Sequence, residues 1–195
     1  MAVTLFLTRN PLREFHHGQQ SGRWGELVAI KGPNVTSVQL SPVGVSNAGK
    51  GATIGVAYGT LQLSTTGAAI SEEKHYTSME RFKTNNGKSW FVQLHPQPHP
   101  YRITFEPHNS KVKELRTGHD GNCFRVHGGK SLAEQGILIH EAPHVGWVIG
   151  CISPRPLNNF SREFPNQPGN PSYNSMQDLF RFVGKEQAEL FVLDW

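Results

Sequence analysis

Short apolar or alternating runs bounded by Gly, Pro and Asn recur along most of the chain. They are "VTLFLTR" (3–9), "GELVAIKG" (25–32), "VTSVQL" (35–40), "ATIGVAYGTLQLS" (52–64), "SWFVQLHP" (89–96), "YRITFEP" (101–107), "CFRVHG" (123–128), "GILIHEA" (136–142) and "WVIGCI" (147–152). Runs of this length, rich in Val, Ile, Phe and Thr and closed by turn formers, predict strands. Helical periodicity is almost absent before residue 170. "VSNAGKGATIG" (45–55) lacks the full phosphate-loop spacing and is followed by no helical pattern, so it predicts a hairpin turn. "LHPQPHPYR" (94–102) is too rich in proline for a helix or a central strand and predicts a surface crossing, with His95 and His99 in a linker. A long loop is expected from Pro154 to Tyr173, as a lid or a connection. One helix follows. Ser175-Met176-Gln177-Asp178 resembles a capping box, Met176, Leu179, Phe180 and Val183 share a face, and Gly184 ends it. "AELFVLDW" (188–195) predicts a closing strand.

The chain has 195 residues with 20 Gly and 13 Pro, 36% hydrophobic and 17% charged. That length suits a single domain with a proper core, and the turn formers favour a mainly β fold. A net charge of +4 without any Lys/Arg run gives no nucleic-acid footprint. The opening "MAVTLFLTRNP" has no basic region ahead of its short apolar run, so synthesis in the cytoplasm without a signal peptide is expected. No stretch approaches the roughly 18 apolar residues of a membrane helix, so no membrane insertion is expected. Two cysteines, Cys123 and Cys151, do not make a disulfide framework.

Candidate chemistry concentrates in "GILIHEAPHVGWVIGCI" (136–152). His140-Glu141-Ala142-Pro143-His144 spells H-E-x-x-H, which binds zinc only when a helix stacks both imidazoles on one face. Pro143 and the strand-like entry "GILI" disfavour that helix. Zinc hydrolysis through His140 and His144 is therefore a minor alternative, and neither a metal nor a cofactor is expected. If instead "GILIH" and "WVIGCI" are strands joined by a loop that folds back, the His140 imidazole and the Cys151 thiol end side by side. An imidazole activates a thiol, and Gly150 gives a carbonyl room to approach the backbone N–H groups of Gly150 and Cys151.

The same segment resembles the motif block of an uncharacterised phage and bacterial family, G-I-x-I-H, about ten residues, then G-C-I. That family is itself similar to the L,D-transpeptidases of peptidoglycan metabolism. "YNSMQDLFRFVG", "AELFVLDW" and "YRITF" also resemble it, so the likeness covers residues 100–195 well and residues 1–90 loosely. It departs from the transpeptidase Ser-His-Gly-Cys, because Val148 and Ile149 precede Gly150. The resemblance implies a compact β-sandwich or barrel-like L,D-transpeptidase-type catalytic fold with one C-terminal helix and a closing strand. It implies a cysteine enzyme, an L,D-transpeptidase or L,D-carboxypeptidase, that holds a stem-peptide acyl group as a thioester on Cys151. His140 is the preferred base. His127-Gly128 is a second choice, because it looks like the transpeptidase His-Gly and "FRVH" echoes a strand of related antibacterial effectors. Arg125, His144 and Trp147 are the expected substrate contacts. The implied partners are peptidoglycan stem peptides and, for an effector, a secretion apparatus or immunity protein, with action in the periplasm or cell wall after export or lysis. The alternative is a non-catalytic phage or envelope β-module on the same fold.

Overall fold

The computed structural model describes residues 1–17, 20–43, 51–85, 88–90, 94–114, 121–129, 136–148, 150–167 and 169–194. The strands are β1 (Ala2–His17), β2 (Gln20–Gly32), β3 (Asn34–Pro42), β4 (Ala52–Val56), β5 (Gly59–Thr66), β6 (Glu72–Asn85), β7 (Lys88–Trp90), β8 (Tyr101–Glu106), β9 (Cys123–His127), β10 (Leu138–Ile139), β11 (Ser153–Arg155) and β12 (Ala188–Leu193). Two α-helices, α1 (Ser110–Glu114) and α2 (Pro171–Val183), accompany them. The chain is mainly β. None of its described helices is long and apolar enough to cross a membrane.

One sheet runs β10-β9-β8-β12-β1-β2-β6-β11, with β7 added on β6. Its two ends meet. Ile139 forms a parallel bridge with Ile152, in which the Ile152 N–H donates to the Leu138 carbonyl (2.9 Å) and the His140 N–H to the Ile152 carbonyl (3.0 Å). The sheet is thus a nearly closed barrel with a short parallel seam. Successive strand residues face opposite sides. Leu5 and Leu7 of β1, Leu27 and Ala29 of β2, Leu190 and Val192 of β12, and Ile139 and Ile152 at the seam share one core with α2. The opposite-facing residues Phe6, Val28, Ile30 and Phe191 pack against a separate sheet of order β3-β5-β4 through Val35, Ile54, Leu61 and Leu63. Phe6 and Phe191 stack there with centroids 5.8 Å apart.

Helix α2 starts earlier than the capping-box pattern suggests. Asn170 is its N-cap, accepting from the Tyr173 N–H (3.0 Å), and Pro171 fills the first turn, where no N–H is needed. Gly184 ends it as expected, with φ 75° and its N–H on the Phe180 carbonyl at 2.8 Å. The α2 residues Met176, Leu179, Phe182 and Val183 enter the barrel core, while Phe180 packs at its margin.

Three other expectations change. The run 52–64 is two strands, β4 and β5, around a turn at Ala57 and Tyr58. The hairpin turn assigned to 45–55 lies largely outside the described residues, and its flanking strands β3 and β4 both pair with β5 rather than with each other. The described residues of "WVIGCI" do not form a strand: Val145–Trp147 is a single 3-10 turn, and the strand begins at Ser153, after the cysteine. Strand β6 was not anticipated, because its sequence "EEKHYTSMERFKTN" is dominated by polar residues. It nevertheless lies between β2 and β11, with residues 76–81 all buried. Its most deeply buried charge is paired inside the protein, while Ser78 Oγ and Arg81 Nε are buried without a hydrogen bond among the described residues. Glu80, 1% exposed, takes a two-pronged ion pair from Arg9 of β1 (3.0 and 3.2 Å), whose guanidinium also reaches the Leu94 carbonyl (2.7 Å) and Asp194 (3.1 Å).

Candidate active site

The barrel seam explains how His140 and Cys151 come together. Ile139 and Ile152 point into the core as bridge partners, so the residues beside them, Leu138, His140 and Cys151, face the other way. His140 and Cys151 are thus offset from each other across the bridge of Ile139 with Ile152. Both side chains line one groove of about 380 Å³, whose walls include Lys111, Val112, Leu138 and Trp147. Ser172, in the first turn of α2, knots the two sides of the seam. Its hydroxyl accepts from the Ala142 N–H (2.9 Å), shares a hydrogen bond with the Ser153 hydroxyl (3.0 Å) and donates to the Pro154 carbonyl (3.2 Å).

His140 is only 3% exposed. Its Nδ1 lies 2.6 Å from the Glu141 carbonyl, which can only accept, so Nδ1 carries the proton and Nε2 holds a free lone pair. Among the described residues Nε2 has no hydrogen-bond partner. Burial disfavours the imidazolium and lowers the His140 pKa to about 4, against a smaller opposing effect of the Glu141 carbonyl. The imidazole is therefore neutral at physiological pH and presented as a base. The backbone of Glu141, rather than its carboxylate, orients the ring.

Cys151 is a free, partly buried thiol. Burial pushes its pKa up to about 11, and the Leu138 backbone, Lys111 and Arg125 oppose that shift only in part. No hydrogen bond joins its sulfur to an imidazole among the described residues. Gly150 adopts φ 72°, the left-handed region that favours glycine, and its N–H donates to the Arg81 carbonyl at 3.0 Å. That leaves the Cys151 N–H as the groove's remaining backbone donor of the expected pair. Cys123 is fully buried beside Leu138 and Val112, with its pKa pushed up to about 12, mainly by burial.

The other expected residues divide. Trp147 lines the groove. His127 stands at the end of β9, with β10 between its strand and the Cys151 side of the seam, and its Nε2 is 2.7 Å from the Thr104 hydroxyl. Desolvation and then Arg102 and Arg125 lower its pKa. Arg125 is engaged by Glu106, with Nη2 3.0 Å from Oε1 and Nε on Oε2. His144 lies beyond the seam, where Nδ1 accepts from the Gly146 N–H (2.7 Å) and Nε2 meets Glu163 (3.0 Å).

Comparison with protein-family models, curated proteins and solved structures finds no match to this chain.

The H-E-x-x-H segment is not helical. His140 and His144 are separated by a non-helical stretch with a bend at Pro143, and both nitrogens of His144 are engaged. Among the described residues no group of three or more His, Cys, Asp or Glu side chains is arranged to hold a metal ion. Sequence reasoning missed Lys111 and Ser172. "SKVKE" is too short to stand out as a helix, and a serine's role as a knot depends on contacts 18 to 30 residues away.

Proposed function

We propose that the chain is a cysteine acyl-transfer enzyme of the L,D-transpeptidase or L,D-carboxypeptidase kind, acting on peptidoglycan stem peptides through Cys151. The observation that carries this reading is a shared groove lined both by a thiol and by an imidazole whose tautomer a backbone carbonyl has fixed. Nucleophile, base and orienting group form the general constellation of covalent catalysis. Both partners are neutral at rest, so the proton moves as the bond forms. The Cys151 sulfur adds to the amide carbonyl carbon while its proton passes to His140 Nε2. Collapse of the adduct returns that proton to the departing amine and leaves a thioester. A second amine, for cross-linking, or water, for trimming, then adds to the thioester and gives a proton to Nε2. Nε2 passes the proton to the departing sulfur. The Cys151 N–H is the donor available to the oxyanion.

The test is incubation with purified muropeptides and mass spectrometry of the products, alongside Cys151→Ala. Trimmed or cross-linked products from the native chain alone support the proposal, and identical profiles for the two proteins end it. A second reading, a non-catalytic envelope or phage β-module, is favoured by one observation, the upward-shifted thiol that lacks an imidazole hydrogen bond. It predicts unchanged muropeptides together with retention of the chain on insoluble peptidoglycan.

A further inference from the structure

The groove beside Cys151 carries one formal charge among its described lining residues. None of those residues is acidic, His140 is neutral, and Lys111 on α1 stands at the rim. Lys111 makes no ion pair or hydrogen bond among the described residues. Arg125, the cation expected from the sequence to receive a substrate carboxylate, has its Nε and Nη2 on Glu106. Lys111 also acts electrostatically on Cys151 and favours its thiolate, as does Arg125, while Glu80 opposes them. The rest of the lining is largely apolar, with Val112, Leu138 and Trp147 offering contact to the body of a ligand. Gly136 adds bare backbone, where a Cβ would meet no atom of the described residues within 4 Å. A volume of about 380 Å³ is that of a small-ligand or short-peptide site.

We infer that Lys111 is the specificity residue of this groove, and that its occupant is a short peptide bearing a free carboxylate near the amide presented to Cys151. This rests on the reading of Cys151 as the nucleophile and names what that nucleophile is offered. A lone ammonium takes a carboxylate as a point charge, without the fixed two-pronged geometry of an arginine, so it tolerates variation in where along the peptide the carboxylate sits. No acidic residue is among the described residues that line the groove to repel that carboxylate, and Trp147 and Leu138 hold the hydrocarbon part.

Two alkylating reagents of nearly equal size separate charge from reactivity. Iodoacetate and iodoacetamide both transfer a carbon to the Cys151 sulfur, expelling iodide while the thiol proton goes to solvent, and only iodoacetate carries a carboxylate. The ratio of their rate constants at Cys151, followed by peptide mapping at pH 8.5 in low salt, is compared among the native chain, Lys111→Gln and Lys111→Glu. Lys111 is exposed on a short surface helix, so both variants are expected to fold, as thermal melts verify. The ratio is expected to fall about two- to fourfold in Lys111→Gln and further in Lys111→Glu, and the differences are expected to vanish near 0.5 M salt. Equal ratios in all three proteins at low salt overturn the inference. The ratio does not depend on any peptidoglycan activity, so a chain that leaves muropeptides untouched loses the functional proposal while Lys111 is still decided. Where turnover is found, stem peptides with a carboxamide in place of the free carboxylate should raise KM for the native chain and leave KM unchanged in Lys111→Gln, with kcat retained in both. A native chain indifferent to that exchange also overturns the inference.

Discussion

The resting charge state of Cys151 and His140 can be tested by titration. With a thiol pKa of about 11, roughly one Cys151 in 10⁴ is a thiolate at pH 7. An unperturbed cysteine, with a pKa near 8.5, is thiolate to about 3%. Iodoacetamide should therefore alkylate Cys151 roughly 300-fold more slowly at pH 7 than it alkylates a free thiol. The rate should rise about tenfold per pH step up to and beyond pH 10, since the thiolate is the reacting form. Transfer of the proton to His140, whose pKa burial lowers, is disfavoured, so no thiolate–imidazolium pair is expected to supply a second reactive form. The assay is intact mass against time at half-unit pH intervals, with digestion to separate Cys151 from the fully buried Cys123. Cys151 should label first. His140→Gln should leave the alkylation profile almost unchanged while abolishing any acyl transfer, because the imidazole acts only when a carbonyl is under attack. A rate plateau below pH 7, close to the rate of a free thiol or above it, would refute this account and establish a pre-formed ion pair.

Three perturbations probe what holds the site. The neutral, buried His140 has a folded-state pKa below its unfolded value, so its contribution is fully present above about pH 6.5 and is lost as pH falls towards 4. Urea unfolding should report about 2–3 kcal/mol of that loss between pH 7.5 and 4.5, and His140→Gln should flatten this part of the slope; equal slopes for the two proteins would show that the ring does not titrate this way. Glu80→Gln leaves the Arg9 guanidinium buried without its main partner and should cost about 3–5 kcal/mol in the same assay, whereas a cost under about 1 kcal/mol would mean that Asp194 and the Leu94 carbonyl suffice. Ser172→Ala strands the buried Ala142 N–H and should cost about 1–3 kcal/mol, with faster amide exchange at His140 and Ile152; unchanged exchange at both would remove Ser172 from the seam.

The strands that build the core faces of the barrel were legible because they bury hydrocarbon. "VTLFLTR" and "GELVAIKG" alternate towards two different apolar layers, and both faces filled as alternation requires. Strand β6 was illegible for the opposite reason. Its interior contacts are an ion pair and serine, threonine and tyrosine positions, so a polarity pattern reads as surface what the fold buries. The start of α2 was misplaced because Ser175 offered a plausible cap, while the actual N-cap, Asn170, sat inside a proline- and asparagine-rich stretch that looked like a loop. At the site, the fold-back was expected to set His140 and Cys151 side by side; the structure puts both on one groove without a hydrogen bond between them, and the second segment is a single bridge residue ahead of β11 and not a strand carrying the thiol. The charge state could not be foreseen. It depends on how completely the groove walls and the core strip water from the two groups, and spacing along the chain contains no measure of that.

A site built this way places its electrostatic effort where charge appears, not where charge rests. Holding a thiolate and an imidazolium at the seam would cost the desolvation of two ions inside a largely apolar wall, and the short parallel bridge that joins β10 to the start of β11 contributes only two backbone hydrogen bonds against such a strain. Two neutral groups impose far less, and the seam stays closed with the Ser172 knot behind it. In the proposed reaction the first full negative charge arises on the substrate oxygen, beside the Cys151 N–H and on the side of the groove where Lys111 is the only formal charge among the described lining residues. Stabilisation that exists only after the sulfur has begun to attack lowers the barrier without activating the thiol at rest. A thiol that is sluggish towards small alkylating agents and a nucleophile that works on its bound substrate are, on this geometry, the same residue, and only a reagent that presents a polarisable carbonyl to the groove can tell it from an inert one.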